Sequence, residues 1–396
     1  MRKMAGDEAQ GFNNLVLPPP QPRIYVGSHD LRTDQSGDGR PTSRRLPPFI
    51  VIRRLRTTSE PAPAVKHQTL LCSTTTNHHR RPNSVENTKP PPKVTMSQPP
   101  KYLTGDSPAI QEFLDKFDVR GVLWSGDHLF DGIRETLAFL RSRGKRTVFV
   151  TNNSTKSRQE YLKKFTSLGI PSDVEDIFGS AYSSAVYVSR ILDLPEGKRK
   201  VFVIGEAGIE AELRAEGVDF IGGTDPSLRR DISPEDFAGI ADGSLLDPEV
   251  GVVLAGLDFH INYLKLSLGY QYLRRGAVFL ATNTDSTLPM SHTFFPGAGS
   301  ISIPLVNMSQ QQPVALGKPS QAMMDAVEGK FQLDRERTCM IGDRLDTDIK
   351  FGREGRLGGT LAVLTGVHKK EDWEKEGAAA VPAYYVDSLA SLNLDA

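Results

Sequence analysis

The sequence predicts an α/β fold built on a parallel sheet, and two observations support this prediction. Short apolar runs alternate with helical patterns along residues 100–396, and such alternation is typical of parallel strands joined by crossover helices. Several of the apolar runs end in small polar or acidic residues. Because the carboxyl ends of parallel strands meet at one edge of an open sheet, where ligands bind, we expect a functional site at that edge.

The first 95 residues differ in composition from the rest of the chain. They hold 13 of the 27 prolines and 15 Lys or Arg against 7 Asp or Glu, a net charge of +8. We interpret them as a disordered extension, or as sequence upstream of a start at Met96, because such composition buries too little apolar surface to fold. A transit peptide is disfavoured by Asp7 and Glu8. A nucleic-acid-binding arm stays open, although interleaved aromatic residues are missing.

The remaining residues carry a net charge of −8, which gives no electrostatic footprint for nucleic acid. The only cysteines, Cys72 and Cys339, form neither a disulfide framework nor a metal-ligand spacing. This usage favours a reducing compartment, and we expect the cytoplasm.

The first strand and its flanking helices are predicted between residues 107 and 168. Apolar side chains recur at helical spacing in residues 107–117 and 131–144, and again across 155–168. Between the last two, residues 147–150 form a short apolar run, predicted to be a buried strand. It ends in Thr-Asn-Asn-Ser at residues 151–154.

The same alternation continues to the end of the chain. Helices are predicted near residues 207–216 and 320–328. Strands are predicted at residues 201–204, 251–256, 277–281, 313–316, 338–341, 360–364 and 384–386.

Three polar clusters that follow these strands suit phosphate chemistry. Thr151 and Asn152 offer a hydroxyl, an amide and backbone N–H groups to a phosphate, although an ordinary Asn-rich turn would look the same. Lys318 offers a point charge, or is a solvated lysine ahead of a helix. Asp343 follows an apolar strand and offers a hard oxygen ligand for Mg²⁺, whereas Asp346 and Asp348 could instead cap the next helix.

The motifs VFVTNNSTKSR (148–158), GKPS (317–320) and MIGDRLDTDI (340–349), in this order, resemble those of the haloacid dehalogenase-like phosphatases. GVLWSGD (121–127) and FFPGAGS (294–300) are similar to the p-nitrophenylphosphatase and 2-phosphoglycolate phosphatase group of that family. The resemblance implies a Rossmann-like parallel sheet core with an inserted α/β cap domain.

The resemblance also divides the chain. It implies a core made of residues 96–198 and 296–396, with the cap domain at residues 199–295. The basic extension, residues 1–95, precedes the core. Residues 256–260 and 282–287 are candidate specificity loops within the cap.

As implied by the family, the chain hydrolyses a small phosphomonoester through an aspartyl-phosphate intermediate, with Mg²⁺ as cofactor. The substrate is then bound by Thr151, Asn152, Asn153 and Lys318, and the metal by Asp343, while Asp348 supports Lys318 or the metal site. We expect no membrane partner, nucleic acid is disfavoured as a partner, and a homodimer stays open.

The first motif of the family is damaged in this sequence. There an apolar strand ends in Asp-x-Asp, of which the first aspartate attacks phosphorus and the second is the general acid and base. Here Arg120 precedes Gly121, and arginine cannot cycle a proton. Asp118 falls in the nucleophile position, but it follows helical residues with two charges rather than an apolar run. We therefore favour deletion of the strand with both aspartates over simple substitution.

Three functions follow from these observations. The first is the Mg²⁺-dependent phosphatase. The second is a catalytically inactive pseudophosphatase that binds a phosphorylated ligand, in which Arg120 would strengthen binding. The third and weakest is a nucleic-acid adaptor that acts through residues 1–95.

Overall fold

The computed structural model describes residues 99–120, 124–125, 128–290 and 293–395, with the backbone alone at 118–120, 124–125 and 128. The predicted extension at residues 1–95 lies outside this part. The described strands are β1 (Lys101–Tyr102), β2 (Asp118–Arg120), β3 (Trp124–Ser125), β4 (His128–Leu129), β5 (Phe149–Thr151), β6 (Ile177–Gly179), β7 (Lys200–Ile204), β8 (Phe220–Gly222), β9 (Val250–Ala255), β10 (Val278–Ala281), β11 (Thr287–Met290), β12 (Thr293–Pro296), β13 (Val314–Ala315), β14 (Thr338–Gly342), β15 (Gly359–Val363) and β16 (Tyr384–Val386).

Helices connect these strands, as the alternating pattern predicts. They are α1 (Ser107–Lys116), α2 (Ile133–Ser142), α3 (Arg158–Ser167), α4 (Ser180–Val186), α5 (Ala207–Ala215), α6 (Pro234–Asp242), α7 (Tyr263–Arg274), α8 (Ala298–Ser309), α9 (Gln321–Phe331), α10 (Lys350–Glu354) and α11 (Lys370–Glu374). No helix in the described ranges is both long and apolar enough to cross a bilayer.

The first sheet is parallel, with strand order β1-β16-β15-β14-β2. Its central strands, β14 and β15, are buried along their whole length, as expected for strands covered by helices on both faces. The short parallel pair β5–β6 packs into the same apolar core, where Phe149 and Ile177 lie in one cluster with Ile341 of β14.

The second sheet is also parallel, with strand order β13-β10-β9-β7-β8. Most of it comes from residues 199–295, the predicted cap, but β13 lies beyond that range. Helix α8 also packs against its core, through Leu305. These two parallel sheets and their helices confirm the predicted α/β fold class.

Local sequence explains where the helices near the site begin. The Ser157 side chain accepts a hydrogen bond from the Glu160 N–H, and the Glu160 carboxylate accepts one from the Ser157 N–H, which together form a capping box at the start of α3. Ser320 caps α9 by accepting a hydrogen bond from the Met323 N–H. Both helices therefore begin directly after the polar clusters that follow β5 and β13.

The sequence analysis favoured loss of the strand before Gly121, and the structure shows a three-residue strand at this point. β2 pairs in parallel with the first half of β14, from Asp118 opposite Thr338 to Arg120 opposite Met340. A three-residue strand is therefore present at this point, and deletion of the family's apolar strand with both aspartates stays a prediction.

Candidate functional site

The carboxyl ends of the two parallel sheets open onto one cavity of about 540 Å³. Thr151 and Asn152 reach it from the end of β5, and Asp343 follows β14. From the second sheet, Asp285 follows β10 and Lys318 follows β13. The structure thus brings Thr151, Asn152, Lys318 and Asp343, which the sequence analysis singled out, to one place together with Asp285.

Lys318 is held in this cavity by a buried ion pair. Its Nζ donates to Asp348 Oδ1 at 2.7 Å and to the carbonyl oxygen of Val150 at 2.8 Å. An ammonium group has three donors, and these partners use two of them. The third can therefore serve an anion in the cavity without breaking either contact.

Asp348 is buried and engages two segments of the site. Besides Lys318, it accepts a hydrogen bond from the backbone N–H of Arg344 through Oδ2, at 3.1 Å. Gly342 makes room for this arrangement, because a Cβ at that position would lie 2.2 Å from the Cβ of Asp348. These contacts agree with the expectation that Asp348 supports Lys318.

The side chains after β5 bond mainly within the protein. Thr151 Oγ1 accepts a hydrogen bond from the Asn153 N–H, and Asn153 Oδ1 accepts from both the N–H and the hydroxyl of Thr155, at 2.9 and 2.8 Å. These bonds form a polar turn that orients the backbone at the strand tip. Binding of substrate by Thr151 and Asn153 stays a prediction.

Asp343 lies at the end of β14 with its carboxylate facing the cavity. Its Oδ2 accepts a hydrogen bond from the Val367 N–H at 2.8 Å, which leaves Oδ1 for another partner. Burial raises the pKa of this carboxyl, and the neighbouring Asp348 charge adds to the shift. A cation beside Asp343 would relieve both effects.

A magnesium ion fits this carboxylate, but the described residues supply only part of a ligand set. Within the described ranges, no group of three His, Cys, Asp or Glu side chains is placed to hold a metal ion. Mg²⁺ is usually held by one or two carboxylates together with phosphate oxygens and water. Asp343 would be such a ligand here.

Asp285 is a site residue that the sequence analysis named only as part of the loop 282–287. Burial raises the pKa of its carboxyl, while a hydrogen bond from Asn152 and the charges of Arg344 and Lys318 oppose the rise. Arg344 is itself paired with Asp346, with Nη2 2.9 Å from Oδ2. An acidic residue in the short polar segment that follows an apolar strand is the signal that could have identified Asp285.

The structure does not bring the backbone of Asp118 to the polar end of the cavity. Asp118 is paired with Thr338 at the start of β14, whereas Asp343 lies five residues further along. At about 3.3 Å per residue, this places the Asp118 backbone roughly 16 Å before Asp343 along the strand direction. The role of its side chain as nucleophile stays a prediction.

The cavity also extends between the edges of β5 and β14. Consecutive residues line it on both sides, residues 148–151 on one and Met340 and Ile341 on the other. Because successive residues point to opposite faces of a strand, such lining means that the strand edges face the cavity. Within the described part of the chain, β5 pairs only with β6, and its second edge is open.

Comparison with known protein families gives two matches. Residues 116–219 match the model described as haloacid dehalogenase-like hydrolase. Residues 315–392 match a second model, described as HAD-hydrolase-like. The two ranges contain the clusters after β5, β13 and β14.

Similar curated proteins are phosphatases. The chain is 51% identical over 288 residues to a 4-nitrophenylphosphatase of Schizosaccharomyces pombe, which covers 71% of this chain and 95% of that protein. It is 41% identical over 288 residues to the chloroplastic phosphoglycolate phosphatase 1A of Arabidopsis thaliana, covering 71% of this chain and 76% of that protein.

Two solved structures with a similar fold are of proteins named as phosphatases as well. A 4-nitrophenylphosphatase from Thermotoga maritima superposes with a TM-score of 0.58 at 26% identity, covering 71% of this chain and 97% of that one. A glycerol phosphate phosphatase from Mycobacterium tuberculosis in complex with magnesium superposes with a TM-score of 0.58 at 27% identity, covering 72% of this chain and 78% of that one.

Proposed function

Because the chain belongs to the haloacid dehalogenase-like hydrolases, we propose that it is a Mg²⁺-dependent phosphomonoester hydrolase of the 4-nitrophenylphosphatase and phosphoglycolate phosphatase type. The observation that carries the proposal is the meeting of Lys318, Asp343 and the tip of β5 at one cavity. A cation, a metal-binding carboxylate and backbone donors are the groups that phosphoryl transfer requires around the phosphate oxygens.

Each residue has a definite part in this proposal. Lys318 neutralises charge on the phosphoryl oxygens, and the N–H groups after β5 position them. Asp343 would hold Mg²⁺, which supplies further charge neutralisation when it is bound. Leu257 and Asp285, which line the cavity from the two candidate specificity loops, would contact the leaving group.

The chemical step of this reaction type uses a carboxylate. Its oxygen attacks phosphorus to give an aspartyl phosphate, and the bond from phosphorus to the leaving oxygen breaks as that oxygen takes a proton from a general acid. Water then attacks the aspartyl phosphate, which releases inorganic phosphate and regenerates the carboxylate. The nucleophile must lie near Lys318 and Asp343. The backbone of Asp118, however, lies opposite the first residue of β14, away from both. Turnover therefore requires a nucleophilic carboxylate beside Lys318 and Asp343.

The pairing register of β2 with β14, which leaves Asp118 away from Lys318, favours a second candidate function, that of a pseudophosphatase. Lys318 and the N–H groups after β5 can hold a phosphorylated ligand without a nucleophile, because binding needs only donors and charge. In that case the ligand binds and is released unchanged.

Release of inorganic phosphate by the purified full-length chain separates the two functions. The substrates are 4-nitrophenyl phosphate and 2-phosphoglycolate with Mg²⁺, and Lys318→Ala and Asp343→Asn are the controls. Release that is lost in both variants supports the hydrolase. Background release from the wild-type chain, together with thermal stabilisation by inorganic phosphate, supports the pseudophosphatase and would refute turnover.

The proposal also covers the compartment, the ligand and the assembly of the protein. The described cysteine, Cys339, is a free thiol buried in the core, in keeping with a reducing compartment such as the cytoplasm. The proposed ligand is a small phosphomonoester, and a homodimer is the assembly to test by light scattering.

A further inference from the structure

The side-chain amide of Asn152 is fully used within the protein. Its Nδ2 donates to the carboxylate of Asp285 at 3.1 and 3.2 Å and to the carbonyl of Lys318 at 2.9 Å. Its Oδ1 accepts a hydrogen bond from the Lys318 N–H at 2.7 Å. An amide has two N–H donors, so both are engaged and the oxygen is occupied as well.

Asp285 is equally well fixed. Its backbone N–H donates to Asn283 Oδ1 at 3.0 Å, and its carbonyl accepts from the Gly299 N–H at 2.9 Å. Gly297 permits this close packing, because a Cβ there would lie 2.3 Å from the Asp285 carbonyl oxygen. The carboxylate is therefore held in place before any ligand binds.

Asn152 joins three segments through these contacts. Its own backbone lies after β5, Lys318 follows β13, and Asp285 follows β10 of the second sheet. The Asn152 carbonyl adds two bonds, accepting from Asn283 Nδ2 at 2.8 Å and from Ser180 Oγ at 2.7 Å. The segments that carry the phosphate-binding groups are thus tied together at one residue.

We propose that Asn152 and Asp285 form a positioning clip that fixes Lys318 and the tip of β5 for phosphate, and that the Asn152 side chain is not itself a phosphate ligand. This inference rests on the proposed function of the site as a phosphate site. To bind phosphate directly, the side chain would have to give up one of the two partners of its N–H groups, Asp285 or the Lys318 carbonyl.

A double-mutant cycle tests the clip. Asn152→Ala, Asp285→Ala and the double variant are compared in the full-length chain, by thermal unfolding and by calorimetric titration with inorganic phosphate in Mg²⁺. We expect each single variant to bind phosphate about tenfold more weakly, through the lost hydrogen bond to a charged group. The double variant should be no weaker than the worse single variant, whereas additive losses of phosphate affinity would overturn the proposal.

Conservative variants separate positioning from charge. Asp285→Asn keeps an oxygen for Asn152 and should retain most of the affinity that Asp285→Ala loses. Asn152→Asp places two carboxylates in contact and sets an oxygen against the Lys318 carbonyl, so it should weaken phosphate binding. Combining it with Asp285→Asn should recover only the part of the affinity that the contact between carboxylates costs, and no recovery at all would contradict the clip.

Gln321 and Asp325 provide a matched control, because they form an exposed amide–carboxylate contact of 2.6 Å on α9. The same alanine cycle there should leave phosphate affinity unchanged. If the wild-type chain binds no phosphate, the proposed function fails. The double-mutant cycle measured by thermal unfolding then decides alone whether Asn152 and Asp285 are coupled. Additive changes in Tm would overturn the clip in that case as well.

Discussion

The ammonium group of Lys318 lies 2.7 Å from the carboxylate of Asp348, and the two side chains are only 8% and 4% exposed. The pair joins the segment after β13 to the helical turn Leu345–Ile349, which follows β14. A buried cation of this kind must be paired, because an isolated charge in the interior is costly.

Replacing Asp348 with Ala should therefore destabilise the protein strongly. The lysine would be left buried without its counter-charge, a situation that costs about 3–5 kcal/mol of unfolding free energy. Urea unfolding measures this loss, with Glu374→Ala in the exposed pair Lys370–Glu374 as a control that should change little. Equal stability of Asp348→Ala and wild type would contradict the account of the pair.

A second buried pair joins the loop after β9 to helix α7. Lys265 Nζ is 2.7 Å from Asp258 Oδ2, both side chains are 0% exposed, and Nζ also donates to the Gly223 carbonyl at 2.9 Å. We expect Lys265→Met to cost about 3–5 kcal/mol and the double variant with Asp258→Leu to recover much of that loss. A double variant as unstable as the sum of the singles in urea unfolding would show that the residues act separately.

The stability contribution of Asp285 should depend on pH. Burial raises its pKa in the folded state above the unfolded value, so folding favours the protonated form. The resulting stabilisation is fully present below the unfolded pKa and is lost as the pH rises through the folded pKa. Wild type should accordingly lose stability relative to Asp285→Asn as the pH is raised from about 4, the usual range of a free carboxyl.

Urea unfolding of both proteins between acidic and neutral pH measures this difference directly. The charges of Arg344 and Lys318 act on this carboxyl only in wild type, and they reduce the rise in its pKa without reversing it. A difference that grows in favour of wild type as the pH rises would contradict the sign worked out here.

The open edge of β5 leads to a prediction for the first motif. We consider a variant with an apolar strand that ends in Asp-x-Asp inserted between Phe117 and Gly121. The inserted strand should pair with β5 and raise the Tm. The variant should also hydrolyse 4-nitrophenyl phosphate in the presence of Mg²⁺. The same insert with Asn-x-Asn should raise Tm without giving activity. Lower Tm values for both inserts than for wild type would show that the edge does not accept a strand.

Much of this arrangement could be predicted from the sequence. The strands before Thr151, Lys318 and Asp343 read as apolar runs followed by polar residues, so their common edge followed from the rules of parallel sheets. Strand β6 was missed, because Ile177, Phe178 and Gly179 form too short a run to stand out from the neighbouring helix.

The engagement of Asn152 was beyond the reach of the sequence. Its partners, Lys318 and Asp285, lie more than 130 positions away, and only the packing of the second sheet brings them to it. The same holds for Asp118, whose distance from the site depends on a strand register that its neighbours in the sequence do not determine.

Binding of inorganic phosphate in the presence of Mg²⁺ tests the central claim, that this cavity is a phosphate site, most directly. Ligands that bind only the folded state raise its stability. Phosphate should therefore raise the Tm of the full-length chain, and Lys318→Ala and Asp343→Asn should each abolish that rise. A wild-type Tm that phosphate and Mg²⁺ leave unchanged, or an equal rise in both variants, would contradict the account.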